Sequence, residues 1–208
     1  MSSSPVVNGG PSTPDQSTDP AGGAAVSRGG LVHATVLLGF VNLFHALDRA
    51  AMSILIEPIK ADLGLTDTQL GLLTGFAFSL TYALFGIPLA RLADTRSRVK
   101  LLAVCLAVWS TATAVAGFAQ NFIQLALTRV VIGIGEAGGA PASVSMMGDY
   151  YTPENRSRGM SWYQLGGAAG GTLGLALVGV IADHYGWRVA FFAMGLPGVL
   201  LAIILVTT

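Results

Sequence analysis

Six stretches of this chain are apolar for long enough to cross a bilayer, and the polar positions between them gather in short clusters. The stretches cover residues 31–56, 70–90, 101–119, 122–147, 160–182 and 189–206. Each is close to the ~20 residues that a hydrocarbon core demands of a helix. The breaks carry helix-start chemistry. Thr66-Asp67-Thr68-Gln69 and Asn121-Phe122-Ile123-Gln124 each set a capping side chain three residues ahead of a glutamine able to reach back. Thr152 followed by Pro153 predicts a proline at a first helical position, where its missing N–H does no harm.

Composition turns six apolar stretches into a membrane protein. Of 208 residues, 52% are hydrophobic and 11% charged, against roughly 25% charged in soluble domains. Mean hydropathy is +0.65. The expected fold class is an all-α integral membrane bundle of six transmembrane helices, residues 31–208, in contact with the lipid bilayer. Residues 1–30 differ: Ser, Gly, Pro and Thr fill 18 of these 30 positions. Such a segment buries too little apolar surface to offset its ordering entropy, so it reads as a disordered cytoplasmic tail. It also lacks the basic region and apolar core of a signal peptide. With 11 Lys+Arg against 11 Asp+Glu there is no basic stripe for nucleic acid. The single cysteine, Cys105, excludes an intrachain disulfide framework and a cysteine-cluster metal site. No metal or cofactor is expected.

Lys/Arg placement gives an orientation. Arg28, Arg91, Arg96, Arg98, Lys100, Arg156 and Arg158 fall at one side, Lys60 and Arg188 at the other. The richer side should be cytoplasmic, with the N-terminus inside a multi-pass protein of the cell membrane, the inner membrane of a bacterium. Tyr150, Tyr151, Trp162, Tyr163, Tyr185 and Trp187 lie near span ends, where they could be interfacial anchors or ordinary packing aromatics.

The chemistry lies in four ionisable residues inside spans: Asp48 and Arg49 in the first, Arg129 and Glu136 in the fourth. Each costs several kcal/mol at the bilayer centre unless paired or facing water, and together they sum to zero charge. At ~100° per residue Arg129 and Glu136 stand about 20° apart on one face. Counting ~1.5 Å per residue from the outer end, Asp48, Arg49 and Arg129 lie about 10–12 Å deep and Glu136 about 21 Å. Asn42, His45 and Arg49 share a face of the first span, within about 60°. Two readings stand. One is a static pair pinning the first helix to the fourth. The other is a site for protons or an anionic substrate, in which an incoming anion takes the arginine and leaves its carboxylate free to bind a proton. His45 is a weaker member, since a lone intramembrane histidine also serves as a packing group.

Glycine patterns need separate treatment. Gly133-Ile134-Gly135-Glu136-Ala137-Gly138 matches the dinucleotide-binding GxGxxG pattern literally, but a Rossmann site needs a soluble βαβ unit, and this copy sits in a membrane-length apolar run. Gly133 and Gly135, like Gly166, Gly170 and Gly174 in the fifth span, read instead as small residues that let helices approach closely. No serine–histidine pair in intramembrane-protease context and no phosphotransfer carboxylate cluster points to an enzyme.

Between the second and third spans runs Ala90-Arg91-Leu92-Ala93-Asp94-Thr95-Arg96-Ser97-Arg98-Val99-Lys100. This segment resembles the G-x-L-a-D-R-x-G-R-R loop motif of the major facilitator superfamily. Leu92, Asp94 and Arg98 match it; Ala90, Thr95, Ser97 and Val99 depart. Arg129-Val130-Val131-Ile132-Gly133-Ile134-Gly135 is similar to that superfamily's fourth-helix motif, and Gly186-Trp187-Arg188 with Phe191-Phe192 to its lead-in to helix six. Within the superfamily the chain resembles Spinster-like transporters through Asn42, Leu47-Asp48-Arg49, Leu65 to Gln69 with Gly71-Leu72-Leu73, and Gly135-Glu136-Ala137. The resemblance implies roles in protonation and gating for Asp48, Arg49 and Glu136. For Asp94, in the loop it shares with Arg98, it implies contacts to the other half that stabilise one conformation. It also implies an amphipathic lipid-like substrate for eukaryotic members. The glycine-proline motif of drug:proton antiporters is missing, since residues 161–182 contain no proline.

The superfamily pattern is twelve helices in two halves around a midplane site, each half built from two inverted three-helix repeats. Six spans match the N-terminal half and cannot alone wall a cavity between two halves. The expectation is a piece of a longer secondary transporter, a half that pairs with itself or a partner, or a non-transporting remnant. The expected activity is proton-coupled transport of a small organic anion or lipid-like molecule, by Asp48, Glu136, Arg49, Arg129, His45 and Asn42. The alternative is a membrane interaction subunit that transports nothing.

Overall fold

The computed structural model describes residues 28–207, and there six helices occupy the six apolar stretches. They are α1 (Arg28–Leu63), α2 (Asp67–Thr95), α3 (Arg98–Ala116), α4 (Phe122–Tyr150), α5 (Arg156–Tyr185) and α6 (Trp187–Thr207). Residues 28–30 of the expected tail are already helical, and the rest of it lies outside the described residues.

The helix ends follow from local chemistry. At the start of α2, Gln69 N donates to Thr66 Oγ1 at 3.3 Å and Thr66 N to Gln69 Oε1 at 2.9 Å, a complete capping box. At α4, Gln124 N donates to Asn121 Oδ1 at 3.0 Å, but Gln124 Oε1 reaches one residue further back, to Gln120 N at 2.8 Å. Gly64, at φ 61°, closes α1, and Leu65 N donates back to Lys60 O at 3.2 Å, the six-to-one bond of a Schellman end. Pro153 departs from expectation. It lies in a turn rather than at the first position of α5. Asn155 N donates to Thr152 O at 3.0 Å, so the chain folds back once before the helix begins at Arg156. In that turn Glu154's own backbone N–H and the Thr152 hydroxyl hold its carboxyl below the usual carboxylate range.

Helix pairing has a simple order. α1 packs along α5, α4 along α2, and α3 against α6; α4 also packs closely on α3. Exchanging α1–α3 with α4–α6 maps the first pairing onto the second and the third onto itself, as two inverted repeats require. Glycines permit the closest approaches. A Cβ on Gly166 would lie 2.1 Å from Gly39 O, and one on Gly170 2.1 Å from Leu43 O. On the other pair a Cβ at Gly133 would lie 2.2 Å from Thr81 Oγ1. Gly174 faces the backbone of Leu47, and Gly135 the Trp109–Cys105 stretch of α3.

Two apolar clusters fill the bundle. One contains Leu102, Leu106, Trp109, Met147 and Tyr163; the other contains Leu55, Ile59, Leu73, Leu125 and Phe191. The outer surface is apolar, with Phe118, Ile123 and Leu200 exposed, as a lipid-facing surface should be. The aromatics at span ends divide: Trp162 and Tyr185 are exposed, whereas Tyr163 and Trp187 are buried. Trp187 Nε1 donates to Asp62 Oδ2 at 3.2 Å, and Arg188 Nη1 donates to the same oxygen at 2.6 Å. α2 contains one irregularity, a π-helical turn over Leu72–Phe76.

Candidate functional site

α1 and α4 are equivalent members of the two repeats, and their ionisable side chains meet. The sequence suggests pairing among four charges; the structure pairs each carboxylate with one arginine and also brings the Asp48 and Glu136 carboxyl groups together. In the first pair, Asp48 Oδ1 accepts from Thr113 Oγ1 of α3 at 2.8 Å, and Arg129 Nη1 lies 3.9 Å from Asp48 Oδ2. That second distance is an ion pair beyond hydrogen-bond range. In the second pair, Glu136 Oε2 accepts from Arg49 Nε at 3.2 Å and lies 3.1 Å from His45 Nε2. Adjacent residues of α1 thus serve different partners, because ~100° per residue turns Asp48 toward α3 and Arg49 toward α2 and α4.

Burial differs sharply within the cluster. Glu136 is 0% exposed, Arg129 3% and Asp48 4%, while the Arg49 side chain is 45% exposed. Aromatic faces support both guanidinium groups. Arg49 Cζ lies 5.1 Å from the centre of the Phe78 ring and 5.0 Å from that of Tyr82; Arg129 Cζ lies 5.5 Å from that of Phe191. Several buried polar atoms have no hydrogen-bond partner among the described residues: Asp48 Oδ2, Glu136 Oε1, and Nε and Nη2 of Arg129. Asp48, Arg49, Arg129 and Glu136 border one cavity of about 220 Å³, completed by Met52, Leu73, Thr74 and Phe78. The π-helical turn of α2 therefore contributes directly to the cavity wall.

The remaining sequence-predicted residues stand apart. Asn42 does not join the cluster. Two turns along α1 from Arg49, ~10 Å by helix rise, its Nδ2 donates to Tyr163 O at 3.0 Å and to Gln164 Oε1 at 3.3 Å, both on α5. Shared angular position on a helix does not give shared depth. At the end where α2 meets α3, Arg98 forms an ion pair with Asp149 of α4 and donates from Nε to Ala93 O at 3.3 Å. Asp94 is exposed and has no hydrogen bond or ion pair among the described residues. Sequence reasoning missed Thr113, Phe78 and Tyr82. Thr113 gives no signal among the other hydroxyl residues of α3, but Phe78 and Tyr82, four apart on α2, are an aromatic pair that the pattern could have offered as an arginine support.

A model of the Major Facilitator Superfamily matches residues 38–208. The chain belongs to that superfamily. Among solved structures, it is similar to a bacterial homologue of the human lysosomal transporter Spinster in an inward-facing, unoccupied conformation. The TM-score is 0.79 and the identity 33%, covering 88% of this chain and 44% of that one. It is thus a Spinster-like, N-terminal six-helix half of the superfamily fold. An MFS-type efflux pump of Mycolicibacterium smegmatis is 40% identical over 169 residues, covering 81% of this chain and 39% of that protein. A probable L-galactonate transporter of Escherichia coli is 31% identical over 170 residues, covering 82% and 37%. A hexuronate transporter of Bacillus subtilis is 32% identical over 169 residues, covering 81% and 39%. The chain therefore spans about two fifths of the length of these relatives.

Proposed function

We propose that this six-helix half belongs to a proton-coupled secondary transporter for small organic anions. The observation that carries the reading is that both buried carboxylates and both arginines border one cavity. Asp48 and Glu136 are buried carboxylates, and each faces an arginine that an anion could take over. An anion drawn to Arg49 or Arg129 weakens that arginine's hold on its carboxylate, which then accepts a proton. Loss of the proton and anion at the other membrane face resets the pair. Which carboxylate is neutral biases the equilibrium between inward and outward conformations. The L-galactonate and hexuronate transporters among the relatives carry names of organic acids, which supports an anionic substrate.

The reading includes an orientation and a partner. The end bearing Arg91, Arg96, Arg98 and Lys100 faces the cytoplasm, in a bacterial inner membrane, with the N-terminus inside. A second six-helix half covers the exposed apolar faces of α2 and α5, where Leu80, Leu84, Leu173 and Leu177 lie open, and it completes the substrate cavity. Asp94 meets that half and stabilises one conformation. A lipid-like substrate is the second reading, favoured by a groove of about 420 Å³ between Val32, Val36, Gly39, Tyr151 and Trp162 that suits an alkyl chain.

Replacing Asp48 by Asn in the complete transporter should abolish proton-coupled uptake of the anion while leaving expression intact. Undiminished pH-dependent uptake by that variant would remove Asp48 from the mechanism and the reading with it.

A further inference from the structure

The seam between α1 and α5 is tightest where Gly166 meets Gly39 and Gly170 meets Leu43. One turn toward the Arg98 end it opens into a groove of about 420 Å³, walled by Val32, Val36 and Gly39 of α1 and Trp162 of α5. Thr35 and Tyr151 complete the lining. Thr35 Oγ1 donates to Leu31 O at 2.8 Å and lies 2.7 Å from Tyr151 OH, so the two hydroxyls satisfy each other. What the groove offers a ligand is therefore apolar.

Its mouth is not. Arg28, Val32 and Val36 follow one another at four-residue steps on α1, as Arg158, Trp162 and Gly166 do on α5. Such a row drifts only ~40° and rises ~6 Å per step. Each wall thus ends, one turn beyond its apolar part, in an arginine. Arg28 and Arg158 are exposed and have no hydrogen bond or ion pair among the described residues. Arg156, by contrast, donates from Nη2 to Gly148 O at 3.0 Å. Glu154, one turn ahead of Arg158, bonds Thr152 instead. Val36 stands about 140° from Arg49 around α1, and Phe40 beside it is exposed, so the groove opens toward the bilayer and away from the charged cavity.

We propose that this groove holds one acidic phospholipid of the surrounding membrane. Its phosphate sits between Arg28 and Arg158, and an acyl chain runs along Val32, Val36 and Trp162 to the Gly39–Gly166 crossing. Two cations at headgroup level above an apolar wall match the two parts of such a lipid. A zwitterionic lipid brings its own ammonium group and gains less from the arginines. The occupant is a resident of the bilayer rather than cargo, so the site is independent of which substrate the complete transporter carries.

Trp162 provides the readout. It is 58% exposed, whereas Trp109 and Trp187, the other two tryptophans, are 2% and 4% exposed. The purified chain in detergent is titrated with phosphatidylglycerol brominated on its acyl chains, while tryptophan emission is followed. Brominated phosphatidylcholine is the control of zero net charge, and glycerol phosphate supplies the headgroup chemistry alone. Phosphatidylglycerol should quench at a concentration at least about tenfold lower than phosphatidylcholine, and Trp162→Phe should remove that quenching. Unbrominated phosphatidylglycerol should reverse it, and glycerol phosphate should not. Arg28→Ala and Arg158→Ala should each weaken phosphatidylglycerol about fivefold, and Arg91→Ala, an exposed arginine outside the groove, less than about twofold. Equal quenching by the two lipids, which needs no variant to observe, overturns the proposal. So does reversal by glycerol phosphate, quenching that survives Trp162→Phe, or a loss in Arg91→Ala as large as that in Arg158→Ala.

Discussion

Glu136 is wholly buried, yet its Oε2 is held 3.2 Å from the Nε of Arg49, whose side chain is 45% exposed. One end of this pair is fixed inside the bundle and the other borders open space, so the two residues respond differently to substitution.

Arg49→Ala leaves the buried Glu136 carboxylate without its guanidinium donor, beside His45 and the Asp48 carboxyl. The expected cost is about 1–3 kcal/mol, that of a buried acceptor short of a donor. Glu136→Gln should cost less, because the half-exposed Arg49 can turn to water. Thermal melting in detergent compares the two variants, and an Arg49→Ala protein as stable as the parent contradicts the expectation.

Thr113 supplies the nearest donor to Asp48, at 2.8 Å. Thr113→Val keeps the shape and removes the hydroxyl, so it should destabilise by about 1.5–3 kcal/mol, the range for hydrogen bonds to charged groups. Thr113→Ser should recover most of that. Equal melting temperatures for the Val and Ser variants would show that the bond contributes little.

Neighbouring glycines of α5 should behave in opposite ways. A Cβ on Gly170 meets Leu43 O at 2.1 Å, whereas one on Gly171 meets nothing within 4 Å. Gly170→Ala should force α1 and α5 apart at a cost of about 1–3 kcal/mol. Gly171→Ala should be neutral or stabilise by up to about 1 kcal/mol through helix propensity. Comparable melting of the two variants would contradict the close approach.

Asp94 and Arg98 share a motif but differ in attachment. Asp94→Asn should change the stability of this half by no more than about 0.5 kcal/mol, as for an unattached surface residue. Arg98→Ala breaks the contact with Asp149 and the bond to Ala93 O, and should lower stability measurably. In the complete transporter Asp94→Asn should shift the balance of inward and outward states, read by cysteine accessibility from each side.

The six helices were legible because a span is written in consecutive apolar residues, and Thr66 and Asn121 announced their caps through a partner three residues away. Pro153 misled because Thr152–Asn155 close a turn first, a competition that local sequence does not decide. For the charges, helical periodicity showed which residues share a face of one helix. It could not say that Asp48 turns to Thr113 while Arg49 turns to Glu136, because those partners belong to helices whose relative rotation is a tertiary property. Asn42 shows the other limit: its angle matched Arg49, but its depth brought it to the carbonyl of Tyr163.

The π-helical turn at Leu72–Phe76 has a consequence for chain length. A wider turn accommodates one residue more than the α-helical path between the same ends, so α2 carries a surplus amino acid beside the cavity. Deleting one residue between Leu72 and Phe76 should restore a regular helix without moving either end, while rotating Leu73 and Thr74 by about 100° relative to Phe78. Kin that lack the wide turn should accordingly align with this chain only across a single-residue gap in this stretch, a mark detectable by counting letters.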